Sequence, residues 1–162
     1  MGGRTHTYRL RLEWTGNTGS GTSTYRGYER SHVLRHPSKP ELADSSDAAF
    51  RGDPSRWNPE ELLVAPLSAC HLLVYLHLAA LAGVVVTAYA DEPVGEMAED
   101  PDGGGRFTSV VLQPTVTVSD ATMADTALAT HAAAYDRCFI ASSVAFPVRH
   151  RPTTLVESSD RG

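Results

Sequence analysis

From Thr7 to Trp14 apolar and polar residues alternate, with Tyr8, Leu10, Leu12 and Trp14 on one face and Arg9, Arg11 and Glu13 on the other. That period of two predicts a half-buried strand. Gly16-Asn17-Thr18-Gly19-Ser20-Gly21 reads as a turn, and Thr22 to Tyr28 reads as a second strand closing a hairpin. Ser31 to Arg35 is a third short strand. Residues 36–57, with Pro37, Pro40, Gly52 and Pro54, read as a long loop whose Phe50, Arg51, Arg56 and Trp57 favour a functional role.

A helix start follows at Asn58-Pro59-Glu60-Glu61: Asn58 is the N-cap, Pro59 the first helical residue, and Glu61 is placed for a capping box. The run to Ala82 is almost wholly apolar, which predicts a buried core helix stopped by Gly83. Val84 to Met97 reads as a strand broken near Pro93 and Gly95, and Glu99 to Gly105 as a hairpin loop. Phe107 to Val118 is a long β-rich segment. Ser119 or Asp120 caps a second helix from Ala121 to about Tyr135, Cys138 to Ser143 forms a short third helix, and Ala145 to Val156 forms a last strand. The predicted order is βββ-α-ββ-αα-β, an α+β fold of mostly antiparallel strands around a long buried helix. It occupies one domain, with residues 1–5 and 157–162 as loose termini.

Composition narrows the function. The net charge is −5, from 14 basic and 19 acidic residues, and the basic residues are scattered, so nucleic acid is not an expected partner. The apolar stretch from Leu72 to Val86 is interrupted by Tyr75, His77 and Gly83, and is shorter than the roughly 18 residues of a membrane span. With no signal-peptide pattern at the start, a soluble cytoplasmic protein is expected. Two cysteines, Cys70 and Cys138, are too few for a disulfide scaffold and lack the spacing of a zinc site. They are inert core thiols or redox groups. His71 and His77 lie six apart on the apolar helix and read as hydrogen-bonded core or interface residues rather than metal ligands.

The stretch Asn58-Pro59-Glu60-Glu61 followed by Leu67-Ser68-Ala69-Cys70-His71 resembles the OsmC/Ohr family of thiol peroxidases. Cys138 matches the family's second cysteine, and the element order is similar from about Thr7 to Leu155. The resemblance implies an intertwined homodimer that reduces organic hydroperoxides with no metal, haem or flavin and is recharged by an external dithiol of lipoyl type. It makes Cys70 the peroxide-reacting thiol, Cys138 the resolving thiol and Glu60 the family's acidic residue.

Thiolate is the reactive form of cysteine, so Cys70 requires a pKa below the usual value of about 8.5. A helix dipole acts only near its first turn, and Cys70 is the twelfth residue counted from Pro59. Pro66 is expected to kink the helix and open a new N-terminus one turn before Cys70. Glu60 lies about 15 Å along the axis from Cys70, so its expected task is to hold a guanidinium in a bidentate pair. The family places that arginine in the loop between its first two strands, and Gly16 to Gly21 has none. Arg26 is the first candidate and Arg51 the second, with Arg30 and Arg56 also near. Tyr25, Phe50, Trp57 and Phe139 are candidates for an apolar substrate pocket, together with Tyr28. The alternative function is a non-catalytic member of the same fold, a small-molecule binding or stress-associated protein.

Overall fold

The computed structural model describes residues 3–158; the outermost parts of both predicted loose termini lie outside them. The chain divides into two compact units, one up to Leu62 and one from Leu63, with the division inside the first helix.

In the first unit, β1 (Arg11–Trp14), β2 (His32–His36) and β3 (Lys39–Asp44) form an antiparallel sheet in the order β1-β2-β3. Three expectations change here. The strand predicted from Thr7 is shorter, and its apolar face is not covered: Tyr8, Leu10 and Leu12 are all exposed. Thr22 to Tyr28 is not a strand; its Ser, Thr and Gly residues turn repeatedly, and the whole of 15–31 connects β1 to β2. The base of this connection is closed by Thr15 N–H donating to the Ser31 carbonyl, Glu29 N–H donating to Gly16 (2.9 Å each), and the Trp14 indole donating to Glu29 (2.8 Å). The predicted loop at 36–57 holds β3 and a 3-10 turn at Ala48–Phe50. The sequence Lys-Pro-Glu-Leu-Ala-Asp has little strand propensity, but β3 is an edge strand, where Pro40 removes no needed ladder bond.

Helix α1 (Pro59–Leu81) begins as predicted. The Asn58 side chain accepts from Glu61 N–H at 2.8 Å, and Glu61 accepts from Asn58 N–H at 3.2 Å, a reciprocal capping box. It also ends as predicted. Gly83, at φ +74°, donates to the Ala80 carbonyl while Val84 donates to Ala79, a Schellman closure that a β-carbon would strain. Pro66, however, opens no new terminus: α1 runs unbroken through it. Because that proline does not end the helix, α1 reaches 23 residues with a mean hydropathy of 1.8 over its most apolar 18, long and apolar enough to cross a membrane by length and composition. The shorter stretch counted from sequence concealed this.

The second unit carries two three-stranded sheets. One has the order β4-β7-β9, from β4 (Val86–Asp91), β7 (Pro114–Val118) and β9 (Thr153–Val156). The other has the order β5-β6-β8, from β5 (Val94–Glu99), β6 (Gly105–Leu112) and β8 (Val148–His150). β4 pairs antiparallel with β7 and β5 with β6, while β8 and β9 add in parallel. Each β-rich segment thus makes two strands in different sheets. The crossings fall at Glu92-Pro93, at Gln113 and at Arg151-Pro152, where proline or an unpaired residue interrupts the ladder. Gln113 N–H donates to Asp91 at 2.6 Å, and its amide donates to the Glu92 carbonyl at 2.8 Å, pinning the first two crossings together.

Helix α2 (Ala124–Asp136) follows a 3-10 turn at Ala121–Met123 capped by Asp120, whose carboxylate accepts from Thr122 N–H at 2.8 Å. The predicted third helix contracts to a 3-10 turn at Ala141–Ser143. The buried residues of α1 are Leu67, His71, Tyr75 and Ala79, a single row at spacing four. Its lower part packs Leu67 on Val110, Leu112 and Val148, and its upper part packs Tyr75 and Ala79 on Val116, Val118, Ala127 and Ala134. The helix is therefore buried along one stripe and not all round: Leu73, Leu76 and Leu81 stand exposed.

Candidate active site

Cys70 lies in the middle of α1, partly exposed, and Cys138 lies buried just past the end of α2; both thiols are free. Sixty-eight residues apart in sequence, they are neighbours in the second unit. Cys138 is pushed up to about 11, first by burial and then by its hydrogen-bonding interaction with Cys70; the Ala141 N–H, donating to its sulfur at 3.4 Å, works the other way. The chain holds Cys138 in place through its own backbone: its N–H donates to the Tyr135 carbonyl and its carbonyl accepts from Ser142 N–H. At neutral pH the buried thiol is protonated and the outer one is reachable from solvent.

Behind Cys70, His71 points into the core. Its Nε2 lies 3.0 Å from Nδ1 of His131, the two rings stack at an interplanar angle of 8°, and His150 stacks on both. Tyr75 lies over His131 with ring centroids 4.1 Å apart and donates its hydroxyl to the Ala127 carbonyl. His71 Nδ1 and His131 Nε2 are buried without a partner, so either tautomer of the pair leaves one donor and one acceptor unmet. Burial holds both rings neutral, lowering His71 to about 4 and His131 to about 3, with His150 adding a repulsion to each. The sequence reading placed His71 correctly in a hydrogen-bonded core. It missed His131 and His150, whose convergence depends on pairing across the fold; His77, read as a core or interface residue, is exposed and so is not part of the core. Among the described residues no group of three or more His, Cys, Asp or Glu side chains is arranged to hold a metal.

The remaining predicted residues lie in the first unit, apart from Phe139. Glu60 is half-buried on the first turn of α1, and its Oε2 has no hydrogen-bond partner. The expected bidentate pair is not formed: no arginine among the described residues is in ion-pair contact with Glu60. Because the β1–β2 connection spans 15–31, it does contain arginines, Arg26 and Arg30, which the shorter loop read from sequence left out. Arg26 and Arg51, read as alternatives, line one cavity of about 490 Å³ with Arg30. Arg56 instead pairs with Asp53 at 3.5 Å. Of the predicted pocket residues, Tyr25, Phe50, Trp57 and Phe139 are all exposed, and Tyr25 serves as a stacking face for Arg30.

Comparison with known proteins agrees with this architecture. The family model for OsmC-like protein matches residues 52–152. An OsmC-like protein of unknown function from Vibrio cholerae superposes with a TM-score of 0.80 at 28% identity, covering 91% of this chain and 99% of that one. An organic hydroperoxide resistance protein from Legionella pneumophila gives 0.66 at 17% identity, covering 94% and 100%. Another from Elizabethkingia anophelis, with a crystallant-derived thiocyanate bound, gives 0.64 at 15% identity, covering 95% and 100%. No curated protein sequence matches the chain. The matched span takes in the helix start, both cysteines and every strand of the second unit but β9, and on it the chain belongs to the OsmC-like family.

Proposed function

We propose that the protein is a cysteine-based peroxidase that reduces organic hydroperoxides to alcohols. One observation carries the reading: a partly exposed thiol, Cys70, lies beside a buried one, Cys138, that burial keeps protonated. Cys70 thiolate attacks the outer oxygen of the peroxide, the O–O bond breaks, and the alkoxide leaves as alcohol after taking a proton. Cys70 is then a sulfenic acid. Cys138 attacks its sulfur, forming the disulfide and expelling the sulfenic oxygen as water, which takes up the Cys138 proton. An external dithiol, of lipoyl type by family resemblance, reduces the disulfide. By the family resemblance Glu60 is the acidic residue that supports the first step. The working form is a homodimer, which gives the exposed Leu73, Leu76 and Leu81 of α1 a covering.

Two of the superposed structures are named organic hydroperoxide resistance proteins, which supports the substrate class. The test is stoichiometric: reduced protein receives one equivalent of cumene hydroperoxide or of hydrogen peroxide, followed by thiol counting and intact mass. Loss of both thiols with a mass decrease of two hydrogens, faster with the organic peroxide, is the expected result. The Cys138→Ser variant should instead gain one oxygen on Cys70. Two thiols still free after minutes would overturn the reading in favour of a non-catalytic binding protein.

A further inference from the structure

The first unit contains a second feature that the thiol chemistry does not explain. The cavity of about 490 Å³ lined by Arg26, Arg30 and Arg51 is of a size that small-molecule sites commonly have. Glu29 and Asp53 also line it. Asp53, however, is held by Arg56 at 3.5 Å and by Ser55, whose hydroxyl and N–H donate to it at 2.7 and 2.9 Å. Three guanidiniums against two carboxylates, one of them already paired with an arginine outside the lining, leave the cavity positive. This occurs in a chain whose net charge is −5.

The fold holds one of the three guanidiniums and fixes the backbone that carries another. Arg30 is clasped between the rings of Tyr25 and Tyr28, 4.5 and 4.3 Å from their centroids. It donates to the carbonyls of the same two residues at 2.9 and 2.7 Å. Arg51 ends the Ala48–Phe50 turn at φ +67°, a left-handed conformation that costs a side-chain-bearing residue energy. Gly52 follows, where a β-carbon would stand 1.5 Å from the Ser46 carbonyl oxygen, so the chain has only one path there. Among the described residues the side chains of Arg26 and Arg51 have neither a hydrogen bond nor an ion pair, although the Arg51 guanidinium lies 5.9 Å from the Tyr25 ring centroid. Both are exposed and line the cavity together, and an oxyanion suits such a pair, because the planar fork matches carboxylate and phosphate oxygens two at a time.

We infer that this cavity binds a small molecule through its carboxylate or phosphate group, with Arg26 and Arg51 gripping the oxyanion and Arg30 as the fixed wall. The inference rests on the first unit alone and stands apart from the peroxidase reading. To keep the two separable, binding is measured in a Cys70→Ser/Cys138→Ser background by calorimetry and by amide shifts, with inorganic phosphate and with benzoate as probes. Saturable binding of one or both is expected, with shifts at Tyr28, Arg51 and Gly52. Phosphate alone identifies the ligand class as phosphate esters, and benzoate alone as organic acids. Arg26→Gln and Arg51→Gln should each weaken binding by about tenfold, and Arg106→Gln, an exposed arginine of the second unit, should not. Arg51→Gly relaxes the positive φ while deleting the guanidinium, so it should lose binding with no loss of thermal stability. Absence of saturable binding at millimolar concentrations, or binding indifferent to both glutamine variants, would overturn the inference.

Discussion

At the scale of single residues, the His71–His131 contact makes a prediction about pH. Both rings are neutral in the folded protein, with pKa values lowered from 6.5 to about 4 and about 3, mainly by burial. Asp91 opposes this at His71 but does not offset it. Between pH 6.5 and those values the unfolded chain binds more protons than the folded one, so stability is complete above pH 6.5 and falls as acid is added. A cost on the order of 5 kcal/mol for the two rings together is expected by pH 4.5, read as a lower denaturant midpoint than at pH 7.5. The His131→Phe variant should flatten that dependence, and an unchanged slope would assign the acid sensitivity elsewhere. Cys138 and His71 show how far the sequence reached at this scale. Cys138 was legible as a core thiol or a redox group and His71 as a hydrogen-bonded core or interface residue, but the partners that tune them arrive from other elements. Glu60 is the counterexample: its spacing suggested a guanidinium pair, and its Oε2 is buried without a hydrogen-bond partner.

At the scale of elements, what was legible was what local chemistry decides. Asn58, Glu61 and Gly83 marked the ends of α1, and those ends close by the predicted hydrogen bonds. Asn58→Ala should therefore cost about 1 kcal/mol in denaturant unfolding, and Asn58→Ser should restore most of it. Strands were read less well, because a strand is defined by a partner remote in sequence. The alternation at Tyr8 and Leu10 is real, yet no second strand covers it; Lys39–Asp44 has no alternation, yet it pairs with β2. Pro66 misled in the same way. Proline removes one bond to Leu62, but the row of Leu67, His71, Tyr75 and Ala79 is anchored on two sheets and holds the helix through the gap.

At the scale of the molecule, the fold class follows from the order of elements, and the proposed dimer rests on what α1 leaves uncovered. Leu73 and Leu81 are 67% and 72% exposed in the isolated chain, on the helix that also holds the core together. Light scattering in solution should return twice the chain mass of 17.4 kDa, and Leu73→Glu with Leu81→Glu should return the mass of one chain. A monomer before substitution would remove the dimer from the proposal. The separation into two sheets within the second unit was not legible, because Pro93 and Gln113 look like ordinary breaks until their strands are seen side by side. That pairing has a mechanical consequence. The ladder between Val86 and Val118 is carried on by the one between Val94 and Val111, and the bend between them is clamped by Asp91, which also accepts from Ser68 on α1 at 2.5 Å. The two sheets are one folded ribbon, so the second unit has no seam along which either sheet could peel away, and it must loosen all together or not at all.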